Sequence, residues 1–305
     1  MEKSWKNMSL PSICLVVLTA LFVLLSSNTA QFSDSNQQLQ VTDDGFMKYV
    51  PSTPQFALDP PLSENGSSVR GVTFSSGDAK ISGLLRIPEM NVEKPVPGIV
   101  LLPGATVTKE SEQGLAKYLA SLGLATLTLD QRNLGMIDIQ GDLSIFLKGG
   151  VPVEYEMAND ALLAAEILRS LPEIDPNEII YAGESNGARF AIIACALDPK
   201  ARGILAISTS GYDTDSSIAS GRLQNAEAIR FYKSIDPDTY VSKIPNRMLV
   251  MIHSQNDPII PLVLAEQTYA KASIPKVMHV VECPKHGYCR EMNSFLEKEL
   301  RAMAS

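Results

Sequence analysis

Three residues of this chain have types and an order that suit nucleophilic chemistry. Ser185 lies between two glycines in Gly183-Glu184-Ser185-Asn186-Gly187, Asp257 precedes a proline, and His286 sits in a glycine-bearing stretch near the C-terminus. Residues 178–182 are a short apolar run, as a buried strand requires, and residues 188–197 are small and apolar, as a buried helix requires. A strand turning into a helix within so few residues leaves the residue at the bend in a strained conformation, and glycines at 183 and 187 relieve the crowding. The bend lifts the Ser185 hydroxyl above the sheet. It also aims the Asn186 N–H, at the new helix N-terminus, toward negative charge forming beside it. That arrangement suits acyl transfer.

A serine hydroxyl needs a base and an orienting acid to attack a carbonyl at neutral pH. The chain has three histidines. His253 and His279 fall inside apolar runs and read as buried sheet residues. His286, in Pro284-Lys285-His286-Gly287 between the last strand and the last helix, is the expected base. Asp257, after the preceding strand, is the expected acid, fixing the imidazole tautomer and stabilising the imidazolium without taking the proton. Asp213, beyond an earlier strand, is the alternative. The turn Pro103-Gly104-Ala105-Thr106 is expected to give the second oxyanion donor through the Ala105 N–H, with Thr106 as the alternative. Cys283 and Cys289 bracket His286. They are a candidate disulfide if the domain is exported, but their spacing alone fits two unpaired thiols as well. No cysteine and histidine pattern has zinc-site spacing, and no metal or organic cofactor is expected.

These groups must be positioned by a domain that begins well inside the chain. Lys3 and Lys6 precede an apolar run over residues 13–25, and Ser26-Ser27-Asn28-Thr29-Ala30 offers small residues for cleavage. Residues 1–30 therefore read as a signal peptide. Because no charge stands between Lys6 and Asp34, a retained signal anchor over residues 10–25 is the alternative. Either way the domain is expected outside the cytoplasm. Setting aside Glu2, Lys3 and Lys6 leaves 24 basic and 33 acidic residues, a net charge of −9, which argues against nucleic acid or an anionic lipid surface as partner. Any membrane contact is expected only through the N-terminal anchor. Oligomeric state is not readable.

Residues 31–68 are polar and proline-bearing and read as an arm or linker, with a glycosylation sequon at Asn65-Gly66-Ser67. Residues 69–74 and 80–87 read as a hairpin. From residue 99 onward short apolar strands alternate with helices to the C-terminus. This pattern indicates one domain over 69–305, with a mainly parallel sheet of about eight strands covered by helices on both faces. A small cap insertion is expected over 212–244, carrying a helix around 226–232 that shades the site. The apolar stretch 134–153 reads either as a pocket wall or lid, or as an extra helix packed on the core. In such sheets reactive groups gather beyond the carboxyl ends of the strands.

The chain resembles the α/β-hydrolase fold superfamily, and within it the dienelactone-hydrolase-like and prolyl-oligopeptidase-like serine hydrolases. The resemblance covers residue 69 to the C-terminus. It rests on Gly183-Glu184-Ser185-Asn186-Gly187, Asp257-Pro258-Ile259-Ile260-Pro261, His286-Gly287, and Asp130-Gln131-Arg132-Asn133-Leu134-Gly135, which is similar to the Asp-x-Arg-Gly-x-Gly turn of that group. Pro103-Gly104 stands where His-Gly is usual, and Asn186 is a less common residue after the nucleophile. Serine in place of the cysteine of dienelactone hydrolases points to esters or amides.

Asp130 and Arg132 are expected to pair with each other, and Glu184 to support the elbow from behind. The expected activity is an exported serine hydrolase cleaving small-molecule carboxylic esters through an acyl-Ser185 intermediate. The alternatives are a serine peptidase or amidase, and a non-catalytic binding module on the same fold.

Overall fold

The computed structural model describes residues 39–89, 94–244, 246–273 and 275–304. The expected signal peptide or anchor lies outside them. Among the described residues no helix is long and apolar enough to cross a membrane.

Strands β5 (Ser67–Ser76) and β6 (Ala79–Pro88) form the expected hairpin, in antiparallel register from Ser67↔Pro88 to Ser76↔Ala79. Gly77, at φ +59, turns the chain between them. The parallel part of the sheet follows from strands apolar on both faces. It comprises β7 (Val96–Leu102), β8 (Ala125–Leu129), β9 (Ile174–Glu184), β10 (Gly203–Ile207), β11 (Met248–Ser254) and β12 (Lys276–Val281). Each pairs with its neighbours in the order β12-β11-β10-β9-β7-β8, and β6 closes antiparallel onto β8. Strands such as β8 and β10 are buried at every residue, because helices cover both faces.

The helices are α1 (Gln113–Ser121), α2 (Ile139–Leu147), α3 (Val153–Ser170), α4 (Ser185–Leu197), α5 (Thr214–Ala219), α6 (Ala226–Ile235), α7 (Pro237–Tyr240), α8 (Leu262–Lys271) and α9 (Asn293–Met303). Two buried clusters sandwich the sheet. The larger joins α3 and α4 to one face through residues such as Leu162, Leu168, Phe190 and Ile193. The smaller joins α1 and α9 to the other through Leu115, Leu119, Leu296 and Leu300.

The sheet has ten strands where about eight were expected. The additional pair comes from the polar segment 31–68. Its short strands β3 (Phe56–Leu58) and β4 (Leu62–Glu64) hydrogen-bond to β5, joined to it in part by the Asn65-Gly66 turn, where both residues have positive φ. A separate hairpin, β1 (Leu39–Val41) with β2 (Met47–Tyr49), docks on the 212–244 insertion. Arg230 donates to the Val41 and Thr42 carbonyls, and the buried Tyr240 hydroxyl accepts from the Met47 N–H. No break in the fold marks residue 68; the described chain from residue 39 onward lies in one compact unit.

Within the stretch 134–153, residues 139–147 fold as the packed helix α2. Phe146 is buried against Phe231 of α6 and Tyr155 of α3. Its rim keeps Leu134, Met136, Ile145, Leu147 and Val151 exposed. Helix α6 packs on α2 and the β1–β2 hairpin, with Ser234 bonded to the Tyr155 hydroxyl.

Candidate active site

The junction of β9 with α4 takes the form its sequence requires. Glu184 ends the strand, Ser185 begins the helix, and Ser185 sits at φ +50, a left-handed conformation unusual for a side chain with a Cβ. Both flanking glycines are sterically obligatory. A methyl group at Gly183 would come within 2.7 Å of the Ala188 nitrogen, and one at Gly187 would overlap the carbonyls of Leu102 and Pro103. Thr209 Oγ1, buried beyond β10, donates to the Ser185 carbonyl at 2.8 Å and fixes the bend from the other side.

The loop after β7 lies beside the serine, so that a methyl group at Gly104 would sit 3.5 Å from Ser185 Cβ. Of the two candidate donors in this loop, the Thr106 N–H is already used, donating to the Leu134 carbonyl at 2.7 Å. Among the described residues no protein group accepts from the Ala105 N–H. The Asn186 N–H belongs to the first turn of α4, where no intrahelical acceptor exists.

The loop is shaped by the turn after β8. Asn133, Leu134 and Gly135 all have positive φ, and Gly135 packs against Ala105 Cα and the Gly104 carbonyl. Gln131 donates to the Pro103 carbonyl, and the Asn186 side chain donates to the Gly135 carbonyl while accepting from Arg189. Asn186 thus holds its neighbouring turn through its amide as well as offering its backbone N–H.

Asp257 and His286 are brought together from the ends of β11 and β12. His286 Nδ1 donates to the Asp257 carboxylate, 2.9 Å from Oδ1 and 2.8 Å from Oδ2. The Asp257 side chain is fully buried. Burial opposes its charge, but the N–H groups of Ile260 and Ile259, each 2.9 Å from Oδ1, and the imidazole prevail and hold the carboxyl below the usual range. His286 Nε2 is buried without a hydrogen-bond partner, the state expected of a nitrogen kept for an incoming proton.

The His286 loop is attached to the elbow directly. The Tyr288 N–H donates to Glu184 Oε2 at 3.0 Å, and Gly287, at φ +83, passes so close to that oxygen that a methyl group there would overlap it. Cys283 and Cys289 are paired as a disulfide with Cα atoms 6.6 Å apart, closing the loop that carries His286. The last helix begins at Asn293, after the tight turn Arg290–Met292 that follows the bridge.

Of the other titratable candidates, His253 borders the site, whereas Asp213 and His279 are engaged elsewhere. Asp213 pairs with Lys271. His253 is buried, bonded to the Ile260 carbonyl at 2.8 Å, with Nε2 3.7 Å from Asp257 Oδ2; burial lowers its pKa. His279 pairs with Glu299 and stacks on Phe295. Asp130 and Arg132 do not pair with each other. Asp130 takes Lys109 from the oxyanion loop, whereas Arg132 turns away to Asp160 and Glu156 of α3 and to the Ser76 carbonyl. Two residues apart on a tight turn, the side chains diverge, and each meets a partner far away in sequence. Sequence reasoning also missed Glu112, a buried carboxyl at the start of α1 that touches Glu184. It follows Lys109 and Glu110 in a polar stretch, and nothing local distinguishes it from a solvated residue.

A profile of the acetyl xylan esterase (AXE1) family matches residues 62–256, more than half of the chain. The chain belongs to the acetyl xylan esterase (AXE1) family. The match spans the oxyanion loop and the elbow and stops one residue before Asp257, so Asp257 and His286 stand on geometry.

Among curated proteins, the chain is 31% identical over 122 residues to the acyltransferase DrtE of Aspergillus calidoustus, covering 38% of this chain and 36% of that protein. It is 28% identical over 185 residues to an uncharacterized protein of Mycobacterium tuberculosis (strain CDC 1551 / Oshkosh), covering 61% of each. The chain therefore spans between about a third and three fifths of the length of the curated relatives it matches. Among solved structures, acetyl xylan esterase 1 from Thermoanaerobacterium sp. JW/SL YS485 superposes with a TM-score of 0.66 at 15% identity, over 83% of this chain and 89% of that one. This likeness establishes the α/β-hydrolase fold.

Proposed function

We propose that this AXE1-family protein is an exported serine esterase that removes short acyl groups, acetyl first among them, from carbohydrate esters through an acyl-Ser185 intermediate. The observation that carries this reading is the His286 imidazole. It is bonded through Nδ1 to a buried Asp257, free at Nε2, and tied by its own loop to the residue preceding Ser185. Family membership favours acetyl esters of saccharides, and the Cys283–Cys289 disulfide fits the exported location that residues 1–30 indicate.

In the first half-reaction Ser185 Oγ attacks the ester carbonyl carbon while its proton passes to His286 Nε2. Asp257 holds the tautomer that leaves Nε2 basic and stabilises the imidazolium. Negative charge on the carbonyl oxygen is met by the N–H groups of Asn186 and Ala105, fixed in place before substrate arrives. The C–O bond to the sugar then breaks, and His286 returns the proton to the departing alcohol. Water repeats the sequence on the acyl enzyme and releases the acid.

A fluorophosphonate probe tests the nucleophile, with labelling expected in the wild type and absent in Ser185→Ala. A graded panel of acyl esters and acetylated xylo-oligosaccharides tests the substrate. Turnover should fall as the acyl chain lengthens, and His286→Ala should lose on the order of 10⁴ in kcat with folding intact. Unlabelled but folded wild-type protein, or near-normal turnover in His286→Ala, overturns the assignment.

A further inference from the structure

Behind the elbow, on the side facing α1, two carboxyl groups touch. Glu112 is 5% exposed, its Oε1 has no hydrogen-bond partner, and its carboxyl lies beside that of Glu184. Glu184 is in turn the group that accepts from the Tyr288 N–H and lies against Gly287. Two carboxyl groups can share a hydrogen bond only if one of them carries a proton, and the more buried one keeps it. We infer that Glu112 is a protonated carboxylic acid that donates to Glu184, and that this acid pair is the device positioning the His286 loop against Ser185. The inference rests on the triad reading above, in which His286 must stand within proton-transfer distance of Ser185.

The surroundings fit a shared proton. Burial, reinforced by the neighbouring Glu184 carboxylate and only partly offset by Lys285, pushes Glu112 well above the ordinary carboxylate range. Lys109 and Glu110, one turn earlier, are bound to Asp130 and to each other. Tyr288 and Tyr118, which stack near the loop, hold their hydroxyls on Asn293 through its Oδ1 and its carbonyl respectively. Glu184 and Lys285 are therefore the charged groups that act on Glu112. When the shared proton leaves at high pH, the two carboxylates repel. Glu184 is then driven off the Tyr288 N–H, and the loop carrying the base loosens. Neither glutamate touches substrate; both are positioning residues.

The test separates a donated hydrogen bond from mere bulk. Glu112→Gln keeps an N–H donor for Glu184 but cannot ionise, whereas Glu112→Ala removes the donor. At neutral pH, Glu112→Ala and Glu184→Ala are each expected to lose about tenfold in kcat with KM little changed, while Glu112→Gln stays within about threefold of wild type. In alkaline buffer the wild type should lose activity that Glu112→Gln retains. Independently of activity, the infrared difference between wild type and Glu112→Gln at neutral pH should contain the band of a protonated carboxyl group. Absence of that band, or identical alkaline profiles for the two proteins, overturns the inference even if Glu112→Ala fails to fold. Fluorophosphonate labelling run in parallel keeps the two claims apart. Wild-type labelling rates in His286→Ala would sink the triad, whereas normal dependence on His286 with wild-type rates in Glu112→Ala and Glu184→Ala would sink only the acid pair.

Discussion

At the scale of single residues, Asp257 shows how a short motif is turned into a rigid acceptor. Its Oδ1 takes the N–H groups of Ile259 and Ile260 as well as His286 Nδ1, so the proline turn and the orienting acid are one structure. Asp257→Asn keeps an oxygen for the two backbone donors while presenting an amide N–H to the imidazole. Folding should therefore survive, and kcat should fall by about 10⁴, measured on an activated acetyl ester.

Glu154 is a residue of the opposite kind. It is 1% exposed, neither carboxylate oxygen has a partner, and burial, with Asp142 and Asp138 adding to it, pushes it from 4.5 up to about 8. A carboxyl whose folded value is raised contributes its full stabilisation below the unfolded value, and that contribution is lost as pH rises through the folded one. Between about pH 4.5 and 8 the wild type should thus lose stability relative to Glu154→Gln, giving the variant a Tm advantage of a few degrees at pH 9 that is smaller at pH 5.

The positions of Ser185, Asp257 and His286 were legible in the sequence because each stands at the end of a recognisable strand. The side-chain partners of Asp130, Arg132 and Glu112 were not, since those depend on elements far apart in the chain.

At the scale of elements, the β5–β6 hairpin and the alternation from β7 to α9 follow from periodicity and apolar runs long enough to carry a signal. The three-residue strands β3 and β4 do not, because pairing with β5 rather than their own pattern makes them strands. The stretch 134–153 was ambiguous for a related reason. A helix with one face packed on Phe231 and the other bare reads as uniformly apolar.

The loop between β12 and α9 carries the proposed base, His286, and is closed by Cys283–Cys289. Opening so short a loop with the double change Cys283→Ser and Cys289→Ser should cost about 2 kcal/mol of stability by chain entropy. With Glu184 still gripping Tyr288, kcat should fall less steeply than it does when Glu184 is replaced. Thermal unfolding and steady-state kinetics of the double variant measure both. A drop in kcat as large as that of His286→Ala would mean the bridge, rather than the Glu184 contact, orients the imidazole.

At the scale of the whole molecule, the sheet gathers its reactive groups from four separated strand ends. The oxyanion loop follows β7, Ser185 follows β9, Asp257 follows β11 and His286 follows β12. Helices on both faces leave little freedom in how those ends line up. The proposed nucleophile and oxyanion donors lie within the family match, and the proposed acid and base lie after it. Assembly of the site thus depends on the C-terminal strands docking correctly on the rest.

The cross-linked loop has a consequence for how such an enzyme would mature. A sulfur–sulfur bond closes in an oxidising compartment and stays open in the reducing cytosol. In the exported enzyme proposed above, a newly made chain would have its His286 loop held by Glu184 alone, and the clamp would close only after it crosses the membrane. Before then it would work at the modestly reduced rate expected of the unbridged double variant.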